Sequence, residues 1–353
     1  MSHLLCFVLP LTTLAFVTTG PHESWVGLWL LPLALSIAAD LASPADRRQP
    51  PRELALRPFD AMLLALVVLQ LANVVLAARL VSVTGFFHWQ TLVAVALVGT
   101  NSGYSGIVVA HELIHRREPR MRLLGRVLMG LVLYEHFATE HLRGHHVRVG
   151  TPEDPATARF GESFHAFFRR TVPAQLRSAW RLEAARLGDA EMRGWDPRML
   201  RSAVLRGLVA EWTFALALAA ILGWGAFFFH LLQAAWAVRL LECVNYFEHW
   251  GLLRSGPRVQ GTDSWDTDSW FTLHTLVGLS RHADHHAFAA RPYPLLRHVP
   301  ESPKLPAGYF GMVPLAILHN RRFQRLMTEE LRRRGLGPHR EADLRAAAPG
   351  PSS

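Results

Sequence analysis

The feature that most limits how this chain can fold is the spacing of its apolar runs. Six of them, at about residues 4–19, 25–42, 61–78, 89–110, 204–222 and 226–246, approach the length a helix needs to cross a bilayer. Half of the residues are hydrophobic. The expected fold is therefore all-α, a polytopic membrane protein with six transmembrane helices. The first two runs are short and contain Pro10 and Pro32, and the last two are joined only by Gly223-Trp224-Gly225. A further apolar stretch, Leu123–Phe137, has about fifteen residues and includes Arg126, too short and too charged for a crossing. It is expected to lie against the bundle as a re-entrant or interfacial helix. Phe164–Leu187 mixes Phe and Leu with Arg, as would a helix at headgroup level or a plain solvated face.

Charge sets the orientation. The net charge of +9 is carried by arginine, with Lys304 the only lysine. Arg47, Arg48, Arg52 and Arg57 separate the second and third runs, and Arg116, Arg117, Arg120 and Arg122 follow the fourth. The links at 20–24, 81–88 and 223–225 carry neither Lys nor Arg. The positive-inside bias then places both termini in the cytoplasm. One integral-membrane domain over 1–339 is expected, with 111–203 and 247–339 cytoplasmic and 340–353 a disordered tail. The N-terminus has no basic region before its first apolar run, which argues against a cleaved signal peptide. Basic loops at a membrane surface explain the charge better than nucleic-acid binding does. Cys6 and Cys243, each inside an apolar run, leave no disulfide framework and no thiolate cluster for zinc or iron–sulfur.

Histidine is the chemistry-bearing residue. Of 19 histidines, nine fall in four boxes: His111 and His115; His141, His145 and His146; His249; and His282, His285 and His286. At helical spacing His111 and His115 share a face, His141 and His145 form a similar pair with His146 displaced, and His282, His285 and His286 point together. Nine imidazoles overfill one metal and suit two, and without cysteine two irons are favoured over zinc. Glu112, Glu140, Asn245, Glu248 and Asp284 adjoin these ligands and could orient the rings through their free N–H groups. His136, His165, His230 and His274 stand alone and read as core or interface residues. Gly103 and Gly106, about one and a half to two turns before His111, could leave room for a substrate channel or simply for helix packing.

These boxes resemble the membrane-bound alkane 1-monooxygenases within the fatty acid desaturase and hydroxylase superfamily. The resemblance is carried by His111-Glu112-Leu113-Ile114-His115, by Thr151-Pro152-Glu153-Asp154-Pro155-Ala156 and by Asn245-Tyr246-Phe247-Glu248-His249-Trp250-Gly251. One departure is Leu279-Ser280-Arg281 before the last box, where the family usually has Leu-Gln-Arg. The resemblance implies a six-span di-iron enzyme that hydroxylates the terminal methyl of n-alkanes with dioxygen. It also implies electrons from rubredoxin, reduced in turn by an NAD(P)H-dependent rubredoxin reductase. The chain has no G-x-G-x-x-G motif of its own. Rival readings are a xylene-type methyl hydroxylase, a fatty-acyl hydroxylase or desaturase, and a zinc protease using the literal H-E-x-x-H at His111–His115 with Glu112 as base.

Overall fold

The structure is a computed structural model that describes residues 2–340 apart from Arg52 and Ser255. All but the first residue of the expected tail lies outside the described residues. Helices dominate, and the only β-type pairings among the described residues are isolated bridges at Ala45–Ser269 and Asp266–Lys304. In chain order the helices are α1 (Ser2–Thr19), α2 (Val26–Leu41), α3 (Arg57–Thr84), α4 (Trp89–Ile114), α5 (Pro119–Gly130), α6 (137–148) and α7 (Phe164–Arg186). They continue with α8 (Ala203–Leu222), α9 (Trp224–His249), α10 (Trp270–Thr275), α11 (His282–Ala287), α12 (Tyr309–Leu318) and α13 (Asn320–Arg334).

Five of these, α1, α3, α4, α8 and α9, are long and apolar enough to cross a membrane. The protein is an integral membrane protein. The expected second crossing is a shorter apolar helix, Val26–Leu41, which opens as a 3₁₀ turn over Val26–Leu30 before Pro32 starts the α-helix. α5 has only 12 residues, about 18 Å, so the stretch after the first box does not cross. One short apolar helix, α12, has no counterpart among the expected runs.

Local chemistry explains the boundaries. Proline at the first turn opens α3, and Gly85 at φ 91° closes it. The Ser202 hydroxyl accepts from the Leu205 N–H to cap α8. Gly223, at φ 89°, then reverses the chain directly into α9. Helices α4 and α9 each have 26 residues, about 39 Å, against a hydrocarbon core of about 30 Å. Their ends therefore project beyond the apolar layer, and those ends carry His111 and His249.

Buried amides lock the bundle. Gln70 of α3 donates to the Ser102 hydroxyl at 2.8 Å, and Ser102 donates to Gln233 of α9 at 2.8 Å. Gln233 in turn donates to the Leu131 carbonyl at 3.0 Å, satisfying the turn that follows α5 inside the bundle. On the projecting side Asp40 of α2 accepts from Ser269, Thr272 and the Gly311 N–H, joining α2 to α10 and α12.

Candidate metal centre

All nine boxed histidines converge, in two sets. His111, His115, His141, His146 and His285 form one, and His145, His249, His282 and His286 the other; within each set the available ring nitrogens lie within 4.8 Å of one another. His136, His165, His230 and His274 belong to neither set.

The division differs from helical spacing in two boxes. His141 and His145, expected on one face, go to different sets, and His141 instead meets His146, Nε2 to Nε2 at 3.0 Å. The reason is a π-helical turn over His141–His145. Its i→i+5 bonding widens the turn and brings residues five apart onto one face. A second π-helical turn, Ser102–Ile107, sits immediately before the first box. In α11, His282 and His286 keep the i,i+4 pairing at 2.9 Å, while His285 turns to the other set, 3.2 Å from His146.

The nitrogens fit a cation and not one another. His141 Nε2 faces both His115 Nε2 and His146 Nε2 at 3.0 Å, and His282 Nε2 faces His249 at 3.1 Å and His286 at 2.9 Å. One imidazole N–H can satisfy only one such neighbour. Two nitrogens bound to one ion at about 2.1 Å and at right angles lie about 3.0 Å apart, which is the spacing found. His111 Nε2 and His145 Nε2 are buried with no hydrogen-bond partner. Burial first, and then crowding by neighbouring imidazoles, holds His141, His146, His282, His285 and His286 well below the ordinary histidine range. The rings are neutral, as metal ligands must be.

The carboxylates beside the boxes do mostly other work. Glu112 takes an ion pair from Arg116 at 2.8 Å and accepts from the Tyr293 N–H at 3.3 Å. Glu140 pairs with Arg148 at 2.7 Å, and Gly144 is the residue whose missing side chain leaves room for that pair. Asp284 is held by Arg291 and the Arg297 N–H. None of these three meets an imidazole in a hydrogen bond. Asn245 donates to Glu242 at 3.1 Å, a fully buried carboxylate that Tyr134 and Gln175 also approach as donors at 2.9 Å. Glu248 is the exception: its Oε2 lies 3.3 Å from His282 Nε2, while its Oε1 accepts from the Tyr309 hydroxyl at 2.5 Å.

Sequence reading missed Asp154. Its Oδ2 lies 2.8 Å from His145 Nδ1 and also accepts from Thr157 at 2.7 Å, and its Oδ1 accepts from the Ala156 N–H. Burial works to raise its carboxyl, but the neighbouring imidazole and these hydrogen bonds outweigh burial and hold it below the usual range. Ionised Asp154 therefore fixes His145 with Nδ1 protonated and Nε2 turned to the metal set. The only signal in the sequence was its place in the Thr151–Ala156 run.

The profile of the fatty acid desaturase family matches residues 87–315. Alkane 1-monooxygenase 1 of Pseudomonas aeruginosa is 39% identical over 303 residues, 81% of this chain and 76% of the relative. The chain belongs to the fatty acid desaturase family, in its alkane 1-monooxygenase branch. Alkane 1-monooxygenase 1 of Alcanivorax borkumensis is 31% identical over 316 residues, covering 86% of this chain and 77% of the relative. The xylene/toluene monooxygenase hydroxylase component XylM of Pseudomonas putida is more distant, 24% identical over 219 residues, 60% of this chain and 58% of the relative.

Two neighbouring cavities lie in the bundle, the inner one against the histidine centre. The inner one, about 30 Å³, is lined by His111, His141 and His282 together with Tyr104, Leu240 and Val244. That is room for one water-sized or methyl-sized group. The outer one, about 310 Å³, lies among α2, α4, α9 and α12, and shares Tyr104 and Leu240 with the inner. Gly103 borders the inner cavity, where a side chain would press on Leu240. Gly106 does not border it; a side chain there would meet Gln70 of α3. At the departure before the last box, Ser280 is fully buried and its hydroxyl has no partner.

Proposed function

We propose that this protein is an alkane 1-monooxygenase: one oxygen atom of dioxygen enters the terminal methyl of an n-alkane, giving a 1-alkanol and water. The balance requires two electrons and two protons per turnover. The observation that carries the reading is the narrow, largely apolar cavity that meets His111, His141 and His282, three of the nine converging imidazoles. An alkane offers no polar handle, so selection must rest on the shape of an apolar passage and on which carbon reaches its end. Tyr104 and Leu240, shared by the two cavities, would form the neck for a chain end, and Phe137 and Leu279 would keep water from the reacting carbon.

Two irons, one for each imidazole set, would supply the dioxygen activation that breaks a terminal C–H bond. His111, His115, His141, His146 and His285 would hold one, and His145, His249, His282 and His286 the other. Asp154 keeps the lone pair of His145 Nε2 directed at its set. Glu248 and Asn245 are the polar side chains, besides the imidazoles and Tyr104, that border the inner cavity; Tyr309 holds Glu248 in place.

The rest of the assignment follows from charge and composition. Six crossings, counting the short α2, with both termini on the cytoplasmic side of the inner membrane, put the histidine centre at the cytoplasmic face. With no thiolate cluster and no dinucleotide motif, electrons must come from outside, and rubredoxin with its NAD(P)H-dependent reductase is the proposed donor. The decisive assay supplies lipid-reconstituted protein with that chain, dioxygen and an equimolar mixture of dodecane, p-xylene and dodecanoate. 1-Dodecanol as the main product, with iron near two per chain, is expected. A methylbenzyl alcohol as main product would transfer the protein to the xylene-type reading, and hydroxylated or desaturated dodecanoate to the acyl one. An active preparation holding only zinc would overturn the di-iron reading.

A further inference from the structure

A third cavity, about 650 Å³, lies on the other side of the bundle, between α3, α5 and α8. Its walls are apolar, formed by Leu71, Val127, Leu131, Ala210 and Phe214. Leu123 and Val127 at its edge are 61% and 41% exposed, so it opens sideways, toward lipid. It shares no residue with the cavities on the histidine side.

The closed end of this groove is charged. Arg126 pairs through Nε with Glu135 Oε1, and the Glu135 N–H donates to Glu211 Oε2 at 3.1 Å. The side chain of Glu135 is 7% exposed, and its Oε2 has no hydrogen-bond partner, nor has Arg126 Nη2. Glu135 Oε2 points at α8, where a side chain on Gly207, a residue of the groove wall, would overlap it. A buried acceptor and a buried donor thus stand unpaired at the end of an apolar groove. Unpaired buried polar groups destabilise the fold, and a ligand that pairs with both would recover that loss.

The ligand's head group follows from this pair. It must donate to Glu135 Oε2 and accept from Arg126 Nη2. Arg206 also lines the groove, so Arg126 and Arg206 balance Glu135 and Glu211 in charge; a carboxylate or phosphate diester can only accept, and would leave Glu135 Oε2 without a donor. A neutral hydroxyl does both. We propose that this groove binds a long-chain primary alcohol, hydroxyl inward and tail along α5 and α8, as a holding site for product at the lipid interface. The choice of alcohol rests on the function proposed above. The class of reaction that must follow is oxidation of that alcohol, and the groove presents it on the bilayer side.

The test uses full-length, metal-loaded protein in lipid nanodiscs and a 1-dodecanol carrying a mid-chain diazirine, with the matching dodecanoic acid and dodecane as controls. On illumination the alcohol should label α5 and α8 peptides at least tenfold more than either control. Unlabelled 1-dodecanol should compete, and Ala210→Trp, which fills the groove, should cut the label about tenfold while initial hydroxylation rate and unfolding temperature stay unchanged. Val127→Trp replaces it should Ala210→Trp misfold. Equal labelling by the acid, or displacement by added phospholipid alone, would overturn the hydroxyl assignment. Label found only on α4 and α9 would overturn the site. The labelling needs no turnover, so alcohol in the groove of a protein inactive on alkanes would sink the enzymatic reading alone, and an active enzyme with an empty groove would sink this one alone.

Discussion

Removing Asp154 should weaken one metal set and spare the other. Its carboxylate makes a charge-assisted bond of 2.8 Å to His145 Nδ1, the one imidazole of the nine whose outward nitrogen meets a carboxylate in a hydrogen bond. Bonds to charged groups contribute about 1.5–3 kcal/mol. At about 1.4 kcal/mol per factor of ten, Asp154→Ala should lower retention of the second metal roughly 10- to 100-fold, in line with outer partners of metal ligands generally. Asp154→Asn should do less. Its amide oxygen can still accept from His145 while its NH₂ turns against the Ala156 N–H, exchanging a charged bond for a neutral one. About half of the effect in free energy, roughly three- to tenfold, is expected. The assay is iron content of purified protein over a series of chelator concentrations, with ⁵⁷Fe Mössbauer spectra to separate the two sites. The alanine variant should keep close to one iron per chain under conditions where the parent keeps two. Both irons lost in parallel would mean that Asp154 supports the fold as a whole. Two irons held as firmly as in the parent would refute its role in orienting His145.

Four further outcomes are expected. Alanine at any of the nine boxed histidines should abolish turnover, whereas His136→Ala and His274→Ala should retain most of it; full activity of His145→Ala or His285→Ala, measured as 1-alkanol formed, would end the ligand assignment. With NADH alone the purified protein should be inactive, and rubredoxin with its reductase should restore hydroxylation at a rate that falls as salt is raised above about 0.15 M, where the Debye length is already about 8 Å. Reporter fusions near Pro50, Glu162 and Arg333 should read as cytoplasmic and one at Pro21 as external; an external signal at Glu162 would break the six-crossing topology. Gly103→Phe should oxidise short alkanes while losing long ones and should also lower stability, because its side chain meets Leu240 in the α4–α9 contact, whereas Gly106→Leu should lower stability by pressing on Gln70 and leave the chain-length profile unchanged.

Different parts of the molecule were legible to different degrees. The long apolar helices follow from hydrophobic runs, because a backbone in lipid has few ways to satisfy its own hydrogen bonds. The nine histidines stood out because one residue type recurred at close spacing. What periodicity could not reveal was which ring joins which set, since that depends on the π-helical turn at His141–His145. Adjacency misled for the carboxylates as well. Glu112, Glu140 and Asp284 sit beside ligands in the sequence, yet Arg116, Arg148 and Arg291 claim them. Asp154 acts on a ring nine residues away, a distance set by the turns at 149–154 and not by any repeat. Gly106 faces α3 for a related reason, the π-helical turn in α4 that alters the facing of residues around it.

The paired histidines show why this fold builds two imidazole sets side by side. Neighbouring residues on a helix point about 100° apart, so His145 and His146 cannot both reach one ion easily, nor can His285 and His286. Each pair gives one ring to each set. The two helical segments α6 and α11 therefore run between the sets and tie their separation to backbone geometry, with the His146 and His286 rings stacked at 4.4 Å across the divide. The long helices supply the remaining anchors: α4 gives His111 and the adjoining His115 to one set, and α9 gives His249 to the other. Helices α4 and α9 are locked together in the bundle, with Gly99 and Gly103 leaving room for Trp236 and Leu240 and with Ser102 donating to Gln233. A shift of α9 along α4 would therefore move one set relative to the other and also reshape the neck at Tyr104 and Leu240. The spacing of the imidazole sets and the lining at Tyr104 and Leu240 depend on the same helix contact, so under the proposed function a substitution that alters chain-length preference through that contact should also change metal retention.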